Sequence, residues 1–297
     1  MATEQPVQQP YGEVFDRGYQ HYAGERLGRA HAVRALVIYS IKRGLGIKKK
    51  WTAKIVPIIL YAIAFLPALI IVALLAFLPA DELGIGFDSL YGTIETVILI
   101  FAAALAPEML ADDRRDNVLS LYFSRPISRW DYLGAKIGAM SILMGTIVFG
   151  PPLLLYFGLI LSDDSPVSYL FDNLDTLLRI AAYGVLLAAF FSALGLIIAQ
   201  FTTRKGIAAA VLIVGTILLT GISNAFFEAL SDQSWRGFLL FVSPLEYINA
   251  TRVWIFGTGE SRMADATDIP GVLYLVYAVA IVAIAMYMMH RRYETEE

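Results

Sequence analysis

The sequence predicts an all-α integral membrane protein with six transmembrane helices preceded by an amphipathic interfacial helix, and three observations carry that prediction. Of the 297 residues, 58% are hydrophobic and only 16% charged, with a mean hydropathy of +0.63. A soluble domain carries about 25% charged residues and an apolar share of about 45–50%. Six nearly uncharged runs are each long enough to cross a bilayer, which takes about 20 residues per helix. The cations gather on one side of those runs: of the 23 Lys and Arg, all but Arg179, Arg236, Arg252 and Arg262 fall in segments that an inner N-terminus places inside. The outer loops carry acids instead, among them Asp81, Glu82, Asp163, Asp164, Asp172 and Asp175.

Residues 1–28 are polar and without helical periodicity, which reads as a cytoplasmic tail. No early apolar run marks a secretory signal, so the N-terminus is expected to stay inside. Over residues 29–50 the apolar positions Val33, Leu36, Val37, Ile41 and Leu45 follow i, i+3, i+4 spacing, and Arg34, Lys42 and Arg43 supply charge. Such a pattern predicts a basic helix lying on the membrane surface. The alternative is a helix packed on protein.

The membrane-spanning body covers residues 51–292, with spans over about 55–80, 88–110, 137–162, 180–203, 206–227 and 269–289, and a short cytoplasmic tail at 293–297. Pro57 and Pro67 are placed to kink the first span, and the pair Pro151-Pro152 to break the third. Residues 237–245 are apolar but too short to cross, so they read as a re-entrant segment before the last span. Trp51, Tyr91, Trp130, Trp254 and Tyr274 lie near span ends, where interface anchoring is expected.

Several function classes are excluded or weakened. The net charge of −3 gives no footprint for nucleic acid. Cysteine is absent, so disulfides and thiolate metal sites are ruled out. No G-x-x-x-x-G-K-[ST], H-E-x-x-H or G-x-S-x-G occurs, so the chain has no signature for hydrolysing ATP or for metal- or serine-based catalysis. No catalytic residue, metal or cofactor is assigned to it. Unequal inner loops argue against a carrier built from repeats. Glu95, about two turns inside span two, is the one candidate for a transport pathway, because an intramembrane acid is costly unless it is used or paired. Its possible partners are Arg179 and Arg252.

The densest charge between two spans lies in PEMLADDRRDNVLSLYFSRPISRWDYLGAKIG, beginning at Pro107. Helical periodicity carries span two outward past Glu108, and "SRPISR" reads as a turn because proline disfavours helix at the residue before it. Ser128 has the character of an N-cap for the helix that leads into span three. Apolar Leu119, Leu121 and Phe123 beside Asp112, Asp113, Arg114, Arg115 and Asp116 fit a surface that docks on another protein. They fit equally well an ordinary inner loop with a small core of its own.

The same stretch resembles ABC transporter permeases of the type 2 exporter group. Matching elements are Glu108, Asp113-Arg114, Val118-Leu119, Arg125-Pro126, Ser128-Arg129 and Lys136-Ile137-Gly138; Asp116 to Val118 depart from the commoner Glu-Gly-Thr. The surface helix, the six spans, "SPLEYINA" at Ser243 and the tail from Val14 are also similar to that group. The resemblance implies that residues 112–129, with Arg125, Pro126 and Arg129 among them and Glu108 just ahead of them, form a coupling helix held in the cleft of a separate ABC ATPase subunit. Two ATPase copies, which bind the ATP and Mg, and a second permease chain, identical or homologous, complete the implied transporter in the inner membrane of a bacterium or archaeon. Both termini are then cytoplasmic. A permease with a signalling or mechanical role, or an ion-gradient carrier or channel, are the alternatives that residue chemistry leaves open.

Overall fold

Among the described residues, six helices are long and apolar enough to cross a membrane, and the most apolar of them is not the most buried. The computed structural model describes residues 27–47, 50–84, 86–116, 122, 127–267 and 269–295. In chain order the elements are α1 (Arg29–Gly44), α2 (Thr52–Leu74), α3 (Ala80–Leu83), α4 (Phe87–Arg115), α5 (Arg129–Ser162), α6 (Pro166–Asp172), α7 (Leu174–Ala199) and α8 (Lys205–Ala229). A 3₁₀ helix at Arg236–Val242 then leads into α9 (Pro244–Phe256), α10 (Arg262–Ala266) and α11 (Val272–Thr295). The six long helices are α2, α4, α5, α7, α8 and α11.

The most apolar helix, α2, is only 22% buried along its apolar stretch, whereas the less apolar α4 is 67% buried. Lipid tails are as apolar as leucine, so greasiness alone does not drive a helix inward; close packing and small residues do. Accordingly α4, α5 and α7 form the centre, and α2, α8 and α11 lie around it. Ala102, Ala106 and Gly195 meet at the α4–α7 seam and are buried. A Cβ at Gly195 would stand 2.8 Å from Ala106 Cβ and 3.5 Å from the Ala102 carbonyl oxygen, so the two backbones approach as only glycine allows.

Helix ends differ from the ends of the apolar runs, for physical reasons. The first run continues to Ala80, but α2 stops at Leu74, and Leu78 precedes Pro79, whose ring disfavours helix at that residue. The third helix begins at Arg129, well before its apolar run, because Ser128 caps it there. At 34 residues α5 is about 51 Å long, and α4 at 29 residues about 44 Å, so both outrun a hydrocarbon core of about 30 Å.

The expected break at Pro151-Pro152 is corrected: α5 is one uninterrupted helix, with both prolines inside it and buried. Each proline removes one donor, from the carbonyls of Ile147 and Val148, and burial of the flanking residues in the bundle centre holds the helical path. Two of the expected interface anchors are likewise corrected. Trp51, Trp130 and Trp254 are exposed, but Tyr91 and Tyr274 are buried. The Tyr91 ring packs edge-on to Tyr183 at 4.8 Å, and the Tyr274 hydroxyl pairs with Thr267 at 2.8 Å.

Between α8 and α11 the short apolar segment is more elaborate than a single re-entrant piece. The 3₁₀ turn ends at Ser243, whose hydroxyl accepts from Glu246 N (3.2 Å), with Pro244 in the first turn of α9. Thirteen residues give α9 a length of about 20 Å, too short to cross. It is held by Tyr247, which lies edge-on to Phe190 (5.3 Å) and to Tyr277 (5.1 Å), and it ends at Gly257 in the left-handed region, φ 71°.

Candidate functional site

The projecting ends of α4 and α5 come together at one end of the bundle, and a buried carboxylate joins them to α1. Asp113, at 2% exposure, receives Arg43 Nη1 on Oδ1 at 2.6 Å and the Tyr132 hydroxyl on Oδ2 at 2.9 Å. Lys136 Nζ lies 2.6 Å from the same Oδ2 and is fully buried. Both cations meet on this one carboxylate, so Asp113 is the group whose removal sets Arg43 and Lys136 against each other.

Local structure explains why Arg43 reaches inward. Leu36, Ser40 and Gly44 form the buried stripe of α1, and Arg43 stands seven residues after Leu36 on that face. A Cβ at Gly44 would meet Leu143 Cδ1 at 2.8 Å and Met109 Cε at 2.9 Å, so glycine lets the end of α1 rest directly on α5 and α4. The helix then closes with a Schellman turn: Gly46, at φ 67°, donates to Arg43 O (3.0 Å) and Ile47 to Lys42 O (2.9 Å).

A second tether joins the other end of α1 to the start of α5. Ser128 and Asp131 form a capping box, Asp131 N donating to Ser128 Oγ (3.1 Å) and Ser128 N to Asp131 Oδ2 (2.8 Å). Arg29 then lays a two-pronged guanidinium on Asp131, Nε to Oδ2 at 2.7 Å and Nη2 to Oδ1 at 2.8 Å. Since Arg29 is largely exposed, that fork orients more than it stabilises. Replacing Ser128 by Ala is expected to cost about 0.5–2 kcal/mol through the lost cap, measured as a lower denaturation midpoint in detergent.

The expected residues that the structure describes now have their places. Glu108 pairs with Lys205 Nζ at 2.8 Å, linking α4 to the first residue of α8. Arg115 pairs with exposed Asp116 at 3.0 Å, and Arg114 and Arg129 are half-buried at the ends of their helices. Asp112 belongs to α4. Leu119, Leu121, Phe123, Arg125 and Pro126 lie outside the described residues. On α1, Leu36 is buried, Val37 and Ile41 pack against the core, and Arg34 and Lys42 are exposed. Reading Arg34, Lys42 and Arg43 as one cationic face therefore needs correcting, because Arg43 points into the protein.

Sequence reasoning treated Lys136 as part of a span entry and missed it as the partner of Asp113. A signal was available: a lysine inside an otherwise apolar helix must find an acid, and Asp113 is the acid at the matching end of α4. The ring of Trp130 stacks on His290 at 3.6 Å, and Arg292 lies over Phe201 at 4.5 Å, so the end of α11 closes against α5 and the α7–α8 turn. At the other end of α4, Glu95 faces Arg252 Nη1 at 3.8 Å, whereas Arg179 donates to Phe256 O at 2.7 Å and pairs with Asp175. Of the two possible partners, Arg252 is the one the fold supplies.

Among the described residues, no cluster of His, Cys, Asp and Glu could hold a metal. No curated protein matches the chain. A family model described as ABC-2 family transporter protein matches residues 11–297, which takes in the whole helical bundle and the tethered charged end just described. This chain belongs to the ABC-2 transporter family, as a membrane subunit of an ABC transporter.

Proposed function

We propose that this chain couples ATP hydrolysis on a separate ATPase subunit to export of a substrate, and that residues 112–129 are the part the ATPase grips. Two permease chains and two ATPase copies form the working unit, with ATP and Mg on the ATPase and with both termini in the cytoplasm of a bacterium or archaeon. The single observation that carries this reading is the Asp113 cluster. It ties the two helix ends flanking the charged segment to each other and to α1. Because α4 and α5 are central, a push delivered between Arg115 and Arg129 enters the middle of the bundle rather than its lipid-facing rim. Rigid elements with two arrangements are what coupling between distant sites requires. The charged residues at the helix ends supply orientation and partner choice, and the apolar ones between them supply docking area.

The test is charge reversal at Arg114, Arg115 and Arg129 in the full chain co-expressed with an ATPase encoded beside it. The expected result is loss of co-purification and of ATP-coupled activity, while the permease itself still folds and inserts. Survival of the complex with full coupled activity overturns the assignment.

A further inference from the structure

At the end of the bundle away from the Asp113 cluster, α4 and α9 enclose a polar crevice that the coupling reading does not use. Its volume is about 210 Å³, and Gly92, Glu95, Thr96, Glu246, Asn249 and Arg252 line it. Glycine at position 92 is what lets the Arg252 guanidinium lie against α4, since a Cβ there would meet Nη1 at 2.5 Å. Arg252 Nη2 donates to Asn249 Oδ1 at 2.7 Å, and Nη1 stands 3.8 Å from Glu95 Oε2, too far for a hydrogen bond. Glu246 accepts from Asn224 Nδ2 at 3.0 Å, and Arg262 lies one step further out, on Asn224 (3.4 Å).

Two atoms in this crevice are shielded and have no hydrogen-bond partner among the described residues: the acceptor Glu95 Oε1 and the donor Arg252 Nε. A buried polar atom without a partner costs free energy, and two of opposite kind, on residues that line one crevice, ask for a ligand that both donates and accepts. The charge count selects further. Of the charged side chains that line the crevice two are acids, Glu95 and Glu246, and one is a cation, Arg252, a balance that favours a cation. The space exceeds the roughly 30 Å³ share of one water, so it admits a small organic group.

We propose that this crevice binds a primary ammonium group carried beside an oxygen acceptor, the aminoethanol pattern. The ammonium donates to Glu95 Oε1 in the field of Glu246, and the oxygen accepts from Arg252 Nε. Free ethanolamine and the headgroup of phosphatidylethanolamine share this chemistry. The site is a property of this chain alone; only its use as a stop on a transport route rests on the coupling reading above.

Binding is tested on the purified full chain, by equilibrium dialysis with labelled ethanolamine and by native mass spectrometry from nanodiscs of phosphatidylethanolamine or phosphatidylcholine. Choline and phosphatidylcholine are the controls, because a quaternary ammonium has no N–H to give Glu95. At least one of the two ethanolamine forms is expected to bind about tenfold tighter than its choline counterpart, the worth of one charge-assisted hydrogen bond. Glu95→Gln is expected to abolish that preference, and Gly92→Ala to weaken binding while removing no charge. Retention of the lipid alone assigns the source to the bilayer, and binding of free ethanolamine alone assigns it to solution. Equal binding of ethanolamine and choline forms, or binding unchanged in both variants, overturns the site. Selective binding in a chain that fails to couple to an ATPase leaves the site standing and removes the coupling reading.

Discussion

Asp113→Asn is expected to be the most damaging single polar substitution in this chain, lowering stability by about 3–5 kcal/mol, the range for removing one partner of a buried ion pair. Its carboxylate neutralises Arg43 on α1 and Lys136 on α5, both almost wholly shielded from solvent. Without it, both cations lose the carboxylate they share. Lys136→Met is expected to cost less, because Arg43 and Asp113 remain as a neutral pair. Removing all three charges together, as Arg43→Met, Asp113→Leu and Lys136→Met, should recover most of the loss, since apolar replacement of a whole buried cluster is often neutral or stabilising. Denaturation midpoints of the four proteins in the same detergent provide the check. An Asp113→Asn protein as stable as its parent, or one no worse than Lys136→Met, would sink the idea that this carboxylate holds α1, α4 and α5 together.

Gly195→Leu should have the next largest effect, and for a reason that allows little relief. At most crowded glycines here the obstructing atoms are flexible side-chain ends; at Gly44 they are Leu143 Cδ1 and Met109 Cε. At Gly195 they are Ala106 Cβ and the Ala102 carbonyl oxygen, which move only if α4 moves. Overpacking a well-filled interior costs about 1–3 kcal/mol, and separation of two helix backbones belongs at the upper end of that range. Displacing α4 also shifts Glu108 and Asp113, so the variant is expected to lose stability and disturb the charged end together. Gly215→Leu on α8 is the control, because a Cβ there meets nothing within 4 Å. Similar unfolding midpoints for the two leucine variants would show that the α4–α7 seam is not tightly set.

The legible part of this protein was that which depends on the solvent. Apolar runs of sufficient length, acids and cations at their ends, and the scarcity of buried charge follow from the bilayer, so six crossing helices could be read directly from composition. The charged stretch after Pro107 also announced itself, because charge between two spans must leave the hydrocarbon. Less could be read of where each helix ends. The chain gives up α2 for turns from Leu75 to Leu78, ahead of Pro79 and short of the apolar run, and the Ser128 cap starts α5 ahead of its own. Such endings are set by a few backbone hydrogen bonds rather than by hydropathy.

Apart from the signal at Lys136, which charges face inward could not be read from the sequence. Arg43 looked like one of several surface cations and Lys136 like part of a span entry, and Asp113 like part of a docking surface. Each side chain is ambiguous alone, because burying a charge becomes affordable only when its counter-charge arrives from another helix. Glu95 had two candidate partners in the sequence, and the path of α9 selected Arg252. The sequence by itself determined the class of protein, the crossing number and the location of the charged segment, because those follow from the transfer of single residues between water and lipid. Tertiary structure alone decided the pairing of Asp113 with Arg43 and Lys136, the uninterrupted course of α5 through its two prolines, and the crevice at Glu95. Those depend on energies shared between residues far apart in the chain, and no single segment contains them.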